Sequence, residues 1–387
     1  MISRRDWLAG LALAPAAPAI WAQAREPIYD LLLKNGLLID PRNNRHGRFD
    51  VAVVGDKIAR VAPNLPAARA RRVVEAGDYY LTPGLIDLHT HFDAGGADLN
   101  LQPDHHALPS GVTTAVDAGS TGAGNFEAFR TRTMARSRTR LLAWLNIAAN
   151  GLAGTAAKLD AAGCASMAKS HPAAVVGIIA SAAETAERAI EAARSAGLPV
   201  MVERAPGDPV LARLEAGDIV TTAFGPKADV SDPARAAQKR GILFDTGSFW
   251  FRVAVPAVKQ GFLPDIISTN INKESILLTR ANMVTTLSKF LNIGLTIEQL
   301  IERSTVAPAR AIRRPELGHL GEGSVADIAL LEIEKGKFGF LDSGHTRLLG
   351  DRRIRCVLTV RAGRVVWDTE GLSLTDWSAA GPYSNFR

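Results

Sequence analysis

Between Leu81 and Arg314, short apolar runs recur, each separated from the next by a polar loop or a helical stretch. That alternation limits what this chain can fold into more than any other feature. The candidate strands are Leu85–His91, Thr113–Ala118, Leu141–Ala148, Ala174–Ala180, Pro199–Glu203, Ile219–Ala223, Ile242–Thr246 and Ile266–Asn270. Most run apolar on both parities, as strands buried on both faces of a parallel sheet do. Ala182–Ala196 (AAETAERAIEAARSA) and Thr296–Ile312 read as helices. Eight such strands predict an α/β fold, a (β/α)8 TIM barrel. The two ends of the chain have another texture. Tyr29–Ile39 and Phe49–Val61 alternate apolar and polar residues around Gly and Asp turns and read as β-hairpins, while Ile328–Glu332 and Val357–Trp367 read as strands. The economical arrangement pairs both ends into a small flanking β-sandwich, residues 25–80 and 315–387, beside a barrel of residues 81–314.

The first 24 residues stand outside that scheme. Ser3-Arg4-Arg5-Asp6-Trp7-Leu8 precedes a short apolar run, and Ala22-Gln23-Ala24 offers small residues at a cleavage spacing. This order resembles a twin-arginine export signal and predicts a periplasmic protein that begins near Arg25. Pro15 and Pro18 interrupt the run, and no later stretch is long and apolar enough to cross a bilayer. With 47% hydrophobic and 22% charged residues the chain is globular rather than disordered. Its net charge of +6 invites a search for a nucleic-acid surface. The arginine-dense stretch Arg130–Arg140 lacks interleaved aromatic residues and reads as a solvated helix face, so no nucleic-acid partner is expected. Cys164 and Cys356 are too far apart for a metal or redox motif, and the sequence leaves open whether they pair. It also leaves the oligomeric state unread.

His89-Thr90-His91 closes the first barrel strand. Residues i and i+2 of a strand point the same way, so both imidazoles face the mouth, where barrel enzymes place their sites. Two convergent histidines are the beginning of a metal site. The surrounding run Thr82-Pro83-Gly84-Leu85-Ile86-Asp87-Leu88-His89-Thr90-His91-Phe92 resembles the signature of the amidohydrolase superfamily. Gly111–Ser120, Phe244–Gly247, Gly261–Asp265, Glu316–Gly318 and Val325–Ile328 extend that resemblance to the dihydroorotase-like amidohydrolase/deacetylase metallohydrolases, over nearly all of the chain after the signal. The resemblance implies a barrel with a flanking β-sandwich and descent from metal-dependent hydrolases of amide and cyclic amide bonds.

It also implies a two-metal site that this sequence does not complete. The family places a bridging carbamylated lysine on strand four, one histidine each on strands five and six, and a metal-binding aspartate that handles the proton of the attacking water on strand eight. Ile179, Glu203, Thr222 and Asn270 stand at those places. Isoleucine bridges no cations, and without a bridging anion two divalent ions a few ångströms apart repel. Asparagine takes no proton from water. The expectation is therefore a non-catalytic or altered-function homologue that binds a small molecule in the barrel mouth. The alternative is an active hydrolase with one divalent ion, zinc or similar, on His89, His91 and Glu203. A third reading is a metal-free acid/base enzyme using Glu203 and the histidines. Glu203 equally suits an internal ion pair with Arg204. His105 and His106 are assigned to an exposed loop after strand one.

Overall fold

The computed structural model describes residues 29–93, 96–153, 159–226 and 232–381, so the export-signal expectation for residues 1–24 lies outside the described residues. The chain opens with five strands: β1 (Leu31–Asp40), β2 (Arg45–Val54), β3 (Lys57–Ala62), β4 (Val73–Glu75) and β5 (Tyr80–Pro83). β1, β2 and β3 pair antiparallel in order, and β4 and β5 run parallel to β1. Tyr29–Ile39 was expected to turn on itself at Asn35-Gly36, yet it stays in one strand. The two residues form an irregularity where the register shifts between Leu33 and Gly36, with Asn35 at φ 60°. A side chain on Gly36 would meet Leu81 at 2.8 Å, so close packing against β5 takes the glycine that the sequence offered as a turn.

β5 runs through Gly84 into a second sheet of seven parallel strands. These are β6 (Leu85–Thr90), β7 (Val112–Gly122), β8 (Arg140–Asn146), β9 (Val175–Ala180), β10 (Val200–Glu203), β11 (Ile219–Thr221) and β12 (Leu243–Phe244), adjacent in chain order. Gly84 sits so close to β7 that an added Cβ would lie 2.2 Å from Thr113 Oγ1. The eighth predicted strand is not a regular one. Residues 266–271 make parallel bridges to both edges, Asp245 to Ile266 and Thr90 to Ile271, and Asn270 at φ 48° breaks the extended run.

The inner face of this half-barrel is an apolar cluster containing Leu88, Val116, Trp144, Ile179, Met201 and Ile219. Val200 and Val202, on the other parity of β10, pack outward with Ala189 and Ala193 of the helix Ala186–Ala196. That helix begins after a 3-10 turn, Ala183–Thr185, and stops at Gly197, φ 67°. The expected helix Thr296–Ile312 is two helices, Ile297–Ser304 and Val306–Ala311. Pro308 has no N–H for the carbonyl one turn back, so the helix breaks at Thr305.

The chain returns through β13 (Ile328–Leu341), β14 (Arg347–Arg361) and β15 (Arg364–Asp368). β13 pairs with β5, joining both ends of the chain in one eight-stranded mixed sheet, order β15-β14-β13-β5-β1-β2-β3 with β4 on β1. The flanking unit is thus a single hydrogen-bonded sheet rather than two separate sheets of a sandwich, because β5 uses both of its edges. Its halves share one core of Leu33, Val51, Ile58, Leu330 and Leu358, and Ala326 N donates to Asp56 O at 2.8 Å.

The arginine stretch is also corrected in part. Arg130 is exposed, but Arg132 grips buried Asp93 at 2.6 Å, and Arg140 bonds Asp327 at 2.5 Å, tying the parallel sheet to the flanking one. Both cysteines are buried and unpaired. Among the described residues no helix is long and apolar enough to cross a membrane.

Candidate functional site

His89 and His91 end β6 side by side, ring centroids 5.5 Å apart and nearly perpendicular. Both are buried, and each is held by a residue from across the mouth. His89 Nδ1 lies 2.8 Å from Thr221 Oγ1. Thr221 donates its single hydroxyl hydrogen to Asp245 Oδ2 at 2.6 Å, so the proton of the His89 bond is assigned to Nδ1. Ser268 donates to the same Asp245 oxygen at 2.7 Å. Burial pushes the Asp245 carboxyl up to about 6, against the pull of these two hydroxyls. Burial holds His89 well below its ordinary value, and neighbouring His91 adds to this, so the ring is neutral at pH 7.

His91 is held from the segment 266–271. Its Nε2 is 3.0 Å from Asn270 Oδ1. The Asn270 amide is oriented by its own Nδ2–H, which donates to Ser248 Oγ at 2.9 Å. In this orientation the amide oxygen faces His91, and Nε2 is the ring nitrogen that the bond engages. Burial lowers His91 to about 4, with the Asn270 bond opposing. Ser120 Oγ lies 3.5 Å from Nδ1.

The other positions named from sequence do not join this pair. Ile179 is buried among inner-face side chains, and a Cβ on Gly119 would come within 2.7 Å of its Cγ2. Glu203 does face inward, since Met201 two residues earlier belongs to the inner cluster, but it makes no bond to either histidine among the described residues. The expected pairing with Arg204 is not formed either. Arg204 Nη1 donates to the Glu203 backbone carbonyl at 2.6 Å, and its Nε lies 3.9 Å from Asp208 Oδ2. Thr222 sits at φ 59°, strained for a β-branched residue, and gives its hydroxyl proton to Thr221 O at 2.6 Å. His105 and His106 lie on a short helix, Pro103–Ala107, rather than in a loop; His105 is exposed and His106 half-buried.

These residues do not fit a two-metal centre. Among the described residues no group of three or more His, Cys, Asp or Glu side chains converges to hold an ion. The His91 nitrogen turned toward Asn270 is engaged by that amide. Sequence reasoning missed Thr221, Ser248 and Ser268, and gave Asp245 no role. The signal for Thr221 was present: alternation from inward Ile219 puts Thr221, not Thr222, on the inner parity.

At the C-terminal ends of β10 and β11 lies a cavity of about 310 Å³ lined by Glu203, Arg204, Ala205, Asp208, Thr222, Gly225 and Pro226. Burial raises the Glu203 carboxyl, opposed only by the charge of Arg204. Larger cavities lie away from the mouth, one of about 440 Å³ beside Gly217, Gly241 and Arg310, at the opposite ends of the strands.

The chain is similar to a deacetylase of Agrobacterium fabrum, with 30% identity over 328 residues that cover 76% of this chain and 81% of the relative. Two crystal structures share the fold. An adenine deaminase superposes with a TM-score of 0.80 at 27% identity, and a dihydroorotase with 0.79 at 27%, each match covering 87% of this chain and 99% of the other. No protein-family model matches the chain.

Proposed function

We propose, from the premise that the chain belongs to the amidohydrolase superfamily in its dihydroorotase-like branch, that it is an exported small-molecule-binding protein in which the two-metal chemistry has been replaced by a hydrogen-bonded mouth. Its relatives are hydrolases of amide and other C–N bonds. We read the architecture as a (β/α)8 barrel with residues 266–271 as its eighth strand, and the twin-arginine-like start as delivery to the periplasm.

The observation that carries the functional reading is the His91–Asn270 bond. The ring nitrogen that faces the family's aspartate position meets a neutral amide there, and that amide is held in turn by Ser248. His89 is held through Nδ1 by the Thr221–Asp245 pair. Deprotonating a water at neutral pH needs a well-held ion that lowers its pKa toward about 7, or a base aimed at it. Asn270 is no base, and Glu203 stands apart from the histidines.

The test is elemental analysis of protein produced with added zinc, manganese, nickel or iron, together with hydrolysis assays on dihydroorotate and N-acetyl amides. The reading expects less than about a tenth of an equivalent of any ion and no turnover above buffer. A stoichiometric ion that disappears in the His89→Ala, His91→Ala double variant would overturn it and favour the one-metal hydrolase.

A further inference from the structure

Large apolar side chains left in solvent are ordinarily scattered singly, and a cluster of them marks a surface that meets something. Nine are exposed among the described residues, and four of these surround one cavity. The cavity, of about 430 Å³, lies between the end of the helix Lys273–Thr279 and the far end of the β13–β14 hairpin. There neither strand has another neighbour among the described residues. Leu341 lines the cavity, and Leu349 stands opposite Gly339 of its wall. Leu277, 78% exposed, and Leu278 immediately precede Thr279 and Arg280, which close the other side.

The charged part of the wall is basic throughout. Arg280, Lys337, Arg347 and Arg353 line the cavity, and no carboxylate does. Arg353 is paired, its Nε 2.8 Å from Glu334, and its guanidinium lies 4.6 Å from the centre of the Phe338 ring. Arg280, Lys337 and Arg347 make no ion pair among the described residues. The other acids of these elements do not answer them. Glu332 bonds Arg355, and Asp342 is buried, accepting from Phe251 N and Thr346. Asp351 lies beside Arg352, and Glu274 is in the first turn of the helix, outside the wall.

We propose that this face docks on an anionic phospholipid surface. The three unpaired cations meet lipid phosphates, and the four leucines enter the boundary between headgroups and acyl chains. Cations beside exposed apolar side chains are the complement of such a surface, which offers negative charge above a hydrocarbon layer. A second copy of this chain is a poorer occupant, because a two-fold contact sets a patch against itself, cation facing cation.

Sedimentation of the full chain with vesicles tests it, using phosphatidylcholine alone and phosphatidylcholine mixed with phosphatidylglycerol. Binding is expected to be at least about tenfold tighter to the anionic vesicles and to weaken with added salt. The triple variant Arg280→Gln, Lys337→Gln, Arg347→Gln should lose about tenfold or more, since a cation near such a surface contributes about fivefold. Arg136→Gln, Arg138→Gln, Arg364→Gln removes the same charge from exposed positions elsewhere and should lose less than about threefold. Leu277→Ser, Leu349→Ser keeps every charge and should lose about fivefold or more with the thermal midpoint unchanged. It decides the matter if the charge variant fails to fold. The first 24 residues are the same in all these proteins, so the ratios between them report the folded surface. Equal affinity for neutral vesicles, equal losses in the two charge variants, unchanged binding in the leucine variant, or no binding at all would overturn the proposal. So would a dimer that Leu277→Ser, Leu349→Ser dissolves, which would make a second copy the occupant.

Discussion

His91 and Asn270 meet across the mouth in a hydrogen bond of 3.0 Å, with Asn270 also donating to Ser248. Asn270→Leu removes both bonds at once and leaves a buried ring nitrogen facing an apolar side chain. An orphaned buried polar group costs about 1–3 kcal/mol, so the variant should lose about 2 kcal/mol of stability in urea unfolding. An unchanged midpoint would mean that the bond does not form in solution.

Thr222 holds φ 59°, a conformation that a β-branched residue adopts at a cost of about 1–3 kcal/mol. Thr222→Gly relieves that strain and gives up one short hydrogen bond and some chain entropy. The net expectation is a gain of about 1 kcal/mol, measured by urea unfolding. Destabilisation would show that the backbone there is relaxed.

Lys289, on the helix Met283–Ile293, is only 4% exposed, with its Nζ 5.5 Å from the centre of the Phe249 ring. Burial lowers it to about 8 from an ordinary 10.5, against the pull of Asp342. The folded state therefore binds fewer protons than the unfolded state between pH 8 and 10.5, and this group makes stability rise with pH across that window. Below pH 8 its penalty is complete. Lys289→Met should stabilise the protein by about 2 kcal/mol at pH 7, after loss of the ring contact. The advantage should vanish by about pH 10.5. Unfolding curves for both proteins at several pH values check the sign.

Cys164 and Cys356 are buried, free, and pushed by burial up to about 11 and about 12. The thiolate is the reactive form. Native protein should react with a thiol reagent only at the rate of unfolding, and denatured protein should release two equivalents without prior reduction. Fast labelling of either residue in the native state would contradict the burial.

Seven of the eight predicted barrel strands appear at their places, because a strand buried on both faces writes a continuous apolar run that no loop or surface helix reproduces. The eighth is short of a regular strand because Asn270 leaves the extended region, a backbone event with no apolar signature. Asn35-Gly36 misled for a related reason. The same dipeptide serves a hairpin turn or a bulge, and only the neighbour, Leu81, decides between them. At the site, the i, i+2 spacing put His89 and His91 on a common side, while Leu88 faces the inner cluster and a register shift between Asp87 and Thr90 interrupts the alternation. Asn270 was visible as the residue at the family's aspartate place, but Thr221 and Ser248, more than 100 residues away, are neutral residues that no charge or metal-ligand pattern distinguishes.

The sequence by itself determined the succession of parallel strands with its flanking β-rich ends and the placing of His89 and His91 side by side at the end of the first of them. These follow from local periodicity and residue chemistry, which a linear reading contains. Only the tertiary structure decided that both ends form one sheet through β5, that the Arg204 guanidinium bonds the Glu203 backbone carbonyl, and that the two histidines meet Thr221 and Asn270. Each of these depends on which nitrogen or oxygen comes within about 3 Å of another across the fold. That distance is set by how β6, β11 and residues 266–271 converge at the mouth.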